Sequence, residues 1–362
     1  PLELTKEMLQ ESKLSVDEEE FERLMEKQKS KAVFNQTLSV DNNMSNLYSS
    51  ILEKYGKTEF VGYEKDLLET EVVAIIKNNN LIDCTPKGEK VEIILKETPF
   101  YGEKGGQIGD KGTMKTETGE IKITDTQISP EDIYVHFGEM LSGSIKTGQA
   151  TTAFVDKKRR HSIMKNHTAT HILHWALRKV LGEHVKQAGS LVTNKRLRFD
   201  FTHFSGLTPE EISRVEELSN EKIMENHFVK CFTTSYEFAK DNGVTALFGE
   251  KYGDFVRVIE VDDFSKELCG GTHVGTIGEI GFVKIISEES VGSNLRRIEA
   301  LTGKEAMDYM FEKENYLKKI ALTLKVNPED ISNRLDHILK HLKENEQELE
   351  SLRLRLAKDE VT

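Results

Sequence analysis

The sequence predicts an α+β fold laid out in successive segments, and three observations carry that expectation. Residues 57–156 hold short apolar runs such as VVAII and VEIIL, broken by Gly, Asn, Pro and Asp, which is the pattern of antiparallel hairpins. Residues 157–303 mix strongly helical stretches with strand-like runs such as FVRVIEV and GFVKII. Both ends of the chain carry helical periodicity.

In chain order, residues 1–56 predict a helical segment. Ser15 followed by Glu18 is a capping-box pattern, with Phe21, Leu24 and Met25 then recurring at helical spacing. A second helix is expected around Ser45 to Tyr55, closed by Gly56. Residues 57–156 predict a small β-barrel. Within the α+β segment 157–303, one helix opens with Thr208, Pro209 and Glu211, an N-cap, a first-turn proline and a capping-box acid. Residues 304–362 read as helix throughout. There Leu335, Ile338, Leu342, Asn345, Leu349, Leu352 and Leu356 alternate in steps of three and four, the a/d seam of a coiled coil with one polar position. An intramolecular hairpin or a homodimer seam would use this stripe equally well.

A chain of 362 residues has room for two or three domains with buried cores. Cys84, Cys231 and Cys269 are odd in number and far apart, so they outline no disulfide framework and suit a reducing compartment. With no apolar run of about 18 residues and no signal-peptide pattern, the expectation is a cytoplasmic protein without a membrane partner. The chain opens on Pro1 and stops at Thr362 within a charged helical pattern, as an excerpt would. The net charge of -12 opposes a broad nucleic-acid surface. The acids, however, gather in the end segments, while Lys157, Lys158, Arg159 and Arg160 form an unbroken basic run in the middle.

The sharpest motif is His167-Thr-Ala-Thr-His171, matched at a distance by Cys269-Gly-Gly-Thr-His273. Each half holds a ligand pair four residues apart, a spacing that on a helix stacks two side chains on one face. Imidazole and thiolate are the donors zinc prefers. His167 and His171 also lie almost opposite the apolar face formed by Ala169, Ile172, Leu173, Ala176 and Val180, unlike ordinary core histidines. A second pair, His337 and His341, flanks the heptad seam and reads as solvated. One zinc per chain is expected, either pinning the domain together or taking part in chemistry.

Two further features admit a plain and a functional reading. The run FYGEKGGQIGDKG at 100–112 lacks both the Rossmann and the P-loop spacing. It is either a glycine-bent hairpin or a loop whose bare backbone, at Gly105 and Gly106, lets an RNA end approach. Lys157 to Arg160 sit at the start of the histidine helix, where the macrodipole disfavours cations. Tight contact with RNA phosphates would explain the placement, and so would a plain solvated surface.

The segments NHTATHILHWALRKVLG, ELCGGTHVGTIGEIGFVKI and FYGEKGGQIGDKG resemble the bacterial-type alanyl-tRNA synthetase family, and the resemblance runs over essentially the whole chain. It implies an editing reaction, hydrolysis of the ester that joins serine or glycine to the 3′ end of the tRNA for alanine. His167, His171, Cys269 and His273 match the family's zinc ligands. Gln187 matches a position associated with editing, and Arg296, in SNLRRIEALTG, a segment close to the editing pocket. Thr168, between the ligand histidines, would offer a hydroxyl to a small polar substrate, and Cys269 and Gln187 would serve the reaction with it. The resemblance also places the first 56 residues after an aminoacylation domain that uses ATP and Mg2+, neither of which has a binding motif here. A free-standing editing protein would share the zinc motifs without needing the end segments, and the threonyl-tRNA synthetase editing domain shares the ligand spacing. A zinc-stabilised, non-catalytic tRNA-binding and oligomerisation module is the remaining alternative.

Overall fold

The computed structural model describes residues 42–85, 87–245 and 253–359. The helix expected to open at Ser15 lies outside them. The first described helix, α1 (Asn42–Tyr55), ends at Gly56, whose φ of 78° is the left-handed conformation that glycine adopts freely at a helix end.

A barrel follows, built from β1 (Leu67–Lys77), β2 (Lys90–Leu95), β3 (Gly112–Lys115), β4 (Gly119–Ile128), β5 (Tyr134–Gly143) and β6 (Ala150–Val155). The strands neighbour one another in the order β1-β2-β5-β4-β3-β6, and β6 pairs back onto β1, closing a six-stranded antiparallel ring. Closure matters because an open ring would leave a row of unpaired backbone groups. Alternation along each strand sends Ile75, Ile93, Leu95, Met114, Ile121 and Ile123 into one buried cluster with Phe100. A second set, Val73, Ala74, Ile76, Ile94 and Val135, packs under Tyr48 and Ile51 of α1. The helix therefore covers one flank of the barrel.

His136 on β5 is fully buried, its ring held by the Thr98 hydroxyl at 2.7 Å and the Ile93 carbonyl oxygen at 2.8 Å. Burial pushes its pKa down from 6.5 to about 4. The unfolded chain therefore takes up this proton first. The stabilising contribution is complete above pH 6.5 and drains away as pH falls towards 4, a loss of about 3 kcal/mol. In urea titrations, His136→Gln is expected to flatten the fall of stability across that window; an unchanged slope would assign the acid sensitivity to other groups.

After the barrel comes the 25-residue helix α2 (Lys157–Leu181), then β7 (Gln187–Val192), β8 (Leu197–Thr202) and α3 (Pro209–Glu225). The capping box of Thr208 and Glu211 is formed, with Pro209 in the first turn. Next are β9 (Val229–Ser235), β10 (Phe255–Val261), β11 (Ser265–Leu268), β12 (Val283–Gly292) and β13 (Leu295–Thr302). They form two antiparallel sheets, β7-β8-β13-β12 and β9-β10-β11. Helices α2 and α3 share a core with the first, in which Ile172, Leu173, Leu177, Phe199, Phe201 and Ile298 are buried. The α+β expectation is met.

The chain divides into two compact units, Pro1–Gly303 and Lys304–Thr362. The second is helical, with α4 (Gly303–Leu324) entering it and α5 (Ile331–Asp359) forming its longest element. Along α5 the heptad residues Leu335, Ile338, Leu342, Leu349, Leu352 and Leu356 are all exposed. The stripe exists; the coiled coil remains an expectation. No helix among the described residues is long and apolar enough to cross a membrane.

Candidate metal centre

His167 and His171 lie mid-way along α2, one turn apart, their rings stacked 5.6 Å between centroids. Their side of the helix is covered too, because both rings are buried together with the apolar face opposite. What covers them is the segment after β11, which brings Cys269 and His273 to the same point. The donor atoms of His167, His171, Cys269 and His273 all lie within 4.8 Å of one another, and no other such group of three or more occurs among the described residues. Cys269 Sγ stands 3.3 Å from His167 Nε2 and 3.4 Å from His273 Nε2. His337 and His341 meet each other on the exposed surface of α5, where His341 also faces Glu344 at 3.6 Å.

The second ligand pair departs from the helical reading of its spacing. Residues 269–273 form an irregular loop, and other residues hold its shape. Arg257 on β10 donates from one Nη1 to the carbonyl oxygens of Cys269 at 3.0 Å and Gly271 at 2.7 Å. Tyr63, from the segment entering the barrel, donates its hydroxyl to the Gly270 carbonyl oxygen at 2.5 Å. A methyl group on Gly271 would stand 1.9 Å from the His167 ring, so only glycine fits there.

Each histidine is oriented through its other nitrogen. His167 Nδ1 donates to Gln107 Oε1 at 2.7 Å, His171 Nδ1 donates to Glu267 Oε2 at 2.7 Å, and His273 Nδ1 meets the Thr168 hydroxyl at 3.1 Å. All three Nε2 atoms are thereby turned toward the thiol, the arrangement in which outer partners fix tautomer and ring angle for a metal. His171 Nε2 is buried and has no hydrogen-bond partner within the chain, a cost a bound cation would remove. The site therefore fits a metal ion of the zinc type by donor chemistry and by an orphaned atom.

Charge supports the same fit. Burial alone would raise the Cys269 thiol, yet the neighbouring His167 and His273 rings hold it well below its ordinary value, favouring the thiolate that ligates metals. Burial likewise opposes ionisation of Glu267, and His171 and His174 outweigh it, so the carboxylate stays charged.

Four outer residues were not singled out from the sequence. Gln107 is wholly buried and also accepts from the Thr272 amide at 2.9 Å. It stands in the glycine run, whose Gly106 runs against β7: Val192 N donates to Gly106 O at 2.7 Å, and a Cβ on Gly106 would meet Ser190 Oγ at 2.3 Å. Gly105 and Gly106, both at positive φ, thus turn the barrel hairpin into contact with the metal-binding half. Glu267 sits two residues before Cys269 on the buried side of β11. An uncharged amide among glycines and an acid beside a ligand were the available signals. Tyr63 and Arg257 carried none.

The remaining expected residues are placed as follows. Thr168 is fully buried, and its hydroxyl is engaged by His273 and by the Val274 amide at 3.3 Å, so it braces a ligand and does not open onto solvent. Gln187 opens β7, half-buried, its Nε2 donating to Ser190 Oγ at 3.3 Å. Arg296 is spent on Glu288 in a two-pronged pair at 2.5 and 2.8 Å. The basic run divides. Lys158 is exposed, and Lys157 pairs at the surface with Asp66 at 2.8 Å. Arg159 donates to the Gly109 carbonyl oxygen at 2.9 Å, while Arg160 is buried, donating to Gly62 O and Pro99 O at 2.7 Å each and pairing with Asp110. The two arginines join α2 to the barrel through these bonds.

Beside the centre lies a cleft of about 520 Å³ between residues 62–66 and the strands β9 and β10, with Thr272 and His273 on its wall.

Two protein families and several full-length relatives match the chain. The family of class II (A) tRNA synthetases matches residues 1–159, and the second additional domain of threonyl and alanyl tRNA synthetases matches residues 256–299. The alanine–tRNA ligase of Acetivibrio thermocellus is 46% identical over 98% of the chain, that of Geobacillus kaustophilus 45% over 99%, and that of Sinorhizobium medicae 43% over 99%. The chain spans about two fifths of the length of these relatives, 40%, 40% and 41% respectively.

Proposed function

Since the chain belongs to the alanine–tRNA ligase family, we propose that residues 157–303 are its editing unit, hydrolysing the ester that joins serine or glycine to the tRNA for alanine. Residues 57–156 are the barrel that supports it, and residues 304–362 a helical connection that pairs through its heptad stripe. The observation that carries the reading is the quartet of three oriented imidazoles and a thiolate, one of whose members, His273, lies on the wall of an open cleft. One zinc per chain is held by His167, His171, Cys269 and His273. When bound, zinc supplies a Lewis acid that can polarise an ester carbonyl or a water.

The chain's own residues do the rest. Gln107, Glu267 and Thr168 hold the three rings in register. Arg257 and Tyr63 hold the loop that carries Cys269 through the carbonyl oxygens of Cys269, Gly270 and Gly271. Gln187 lies on the strand against which the glycine hairpin docks, and serves the reaction without binding metal. A polar wall rewards a seryl hydroxyl over the methyl of alanine, because sites built to hydrogen-bond a group reject analogues lacking it. ATP-dependent charging with alanine belongs to the whole enzyme, outside these residues.

The test is deacylation by the purified chain. Seryl-tRNA for alanine is expected to be hydrolysed faster than alanyl-tRNA. Cys269→Ala should lower the rate on the order of 100-fold with loss of zinc, and Gln187→Ala should lower it with zinc retained. In a separate titration of tRNA binding, Lys157→Ala with Lys158→Ala should flatten the dependence of affinity on salt. A folded, zinc-loaded chain with no activity above buffer would leave only a binding module.

A further inference from the structure

Arg257 is placed unlike the other described arginines of the first unit. Arg160, Arg296 and Arg297 each meet a carboxylate, whereas Arg257 has no ion-pair partner among the described residues. Its guanidinium stands 4.0 Å from the centre of the Tyr63 ring, and one nitrogen, Nη1, makes both bonds to the ligand loop. Nε and Nη2 keep their protons unassigned on the wall of the cleft. The other charges lining it are largely spent: Arg160 on Asp110 and Asp66 on Lys157. Glu64, Lys65 and Arg257 remain, one net positive charge beside the metal quartet.

We propose that this cleft seats the last phosphodiester of the acylated RNA strand, with Arg257 as its anchor. The inference rests on the deacylase reading and adds a binding subsite to it. If the acyl ester lies at the quartet, the nearest anion of the strand is the 5′ phosphate of the same terminal nucleotide, one ribose away. A planar guanidinium held by an aromatic face and two carbonyls is already ordered, so it binds a phosphate with little further loss of freedom. Because the same guanidinium grips Cys269 and Gly271, a bound strand would be registered directly against the loop that carries the thiolate.

The experiment compares wild type, Arg257→Gln and Arg257→Lys in the full chain. It measures zinc content, kcat and KM on seryl-tRNA at several salt concentrations, and binding of uncharged tRNA over the same range. Arg257→Gln should raise KM and the dissociation constant about tenfold, reduce the slope of log affinity against log salt by about 0.7, and keep its zinc. Arg257→Lys should recover the slope and part of the affinity. Unchanged KM, binding and slope in an active Arg257→Gln overturn the anchor, as does a fall in kcat and zinc together with those three unchanged, which marks a purely structural arginine. If wild type binds tRNA without hydrolysing it, the deacylase reading fails, and the binding arm alone decides whether Arg257 holds phosphate.

Discussion

Replacing Asp110 by alanine is expected to cost about 3–5 kcal/mol of folding stability, because it removes one member of a buried ion pair. Asp110 is fully buried and accepts from the Tyr101 amide at 2.8 Å as well as pairing with Arg160. Without it the Arg160 guanidinium keeps its carbonyl partners but lies buried as an uncompensated cation, and removing one member of a buried pair costs more than the pair itself contributes. Urea unfolding read by tryptophan fluorescence checks this, since Trp175 sits on the same helix as Arg160. Substituting both residues, Asp110→Leu with Arg160→Met, should recover most of the loss. If the single variant loses less than about 1 kcal/mol, the joint between barrel and helix is not held by this pair.

Among residues outside the quartet itself, Glu267→Ala should have the largest effect on the metal. One carboxylate serves two rings, His171 at 2.7 Å and His174 at 2.8 Å, and all three groups are buried. With it gone, His171 can present either nitrogen to the quartet, and its tautomer and angle are no longer set. Loss of such an outer partner lowers metal affinity about 10- to 100-fold. Competition with a chromophoric chelator measures this directly. His174→Phe is the control, as it removes the second bond of Glu267 while leaving the one to His171. Near wild-type affinity in Glu267→Ala would show that packing alone fixes the His171 ring.

The quartet was legible in the sequence because its donor types and short spacings are local, and α2 realises its half of that pattern directly. The groups that make the quartet work were not legible, since they come from far away: Gln107 from 60 residues before His167, Glu267 from 96 residues after His171, Tyr63 from 207 residues before Gly270. No periodicity links them: the docking of the barrel hairpin on β7 brings in Gln107, β11 presents Glu267, and the segment entering the barrel presents Tyr63. The basic run shows the same limit from the other side. A helix-dipole argument is right that cations at the start of α2 need an anionic or acceptor partner, but for Arg159 and Arg160 the partners are Gly109, Gly62, Pro99 and Asp110. In the barrel, the turn residues announce each hairpin, while the pairing of β6 with β1 that closes the ring is a long-range event. The heptad stripe of α5 is visible as spacing, which says nothing of its partner.

The hairpin that delivers Gln107 sets a limit on how this protein can be reused. A stretch beginning at Lys157 contains every ligand and looks like a transplantable cassette, yet it leaves behind the acceptor of His167, the hydroxyl that steadies Gly270 and the acid that neutralises Arg160. Any rearrangement that moves the cassette into another chain must therefore carry the barrel along or invent three replacements at once, so the two halves are inherited as one piece.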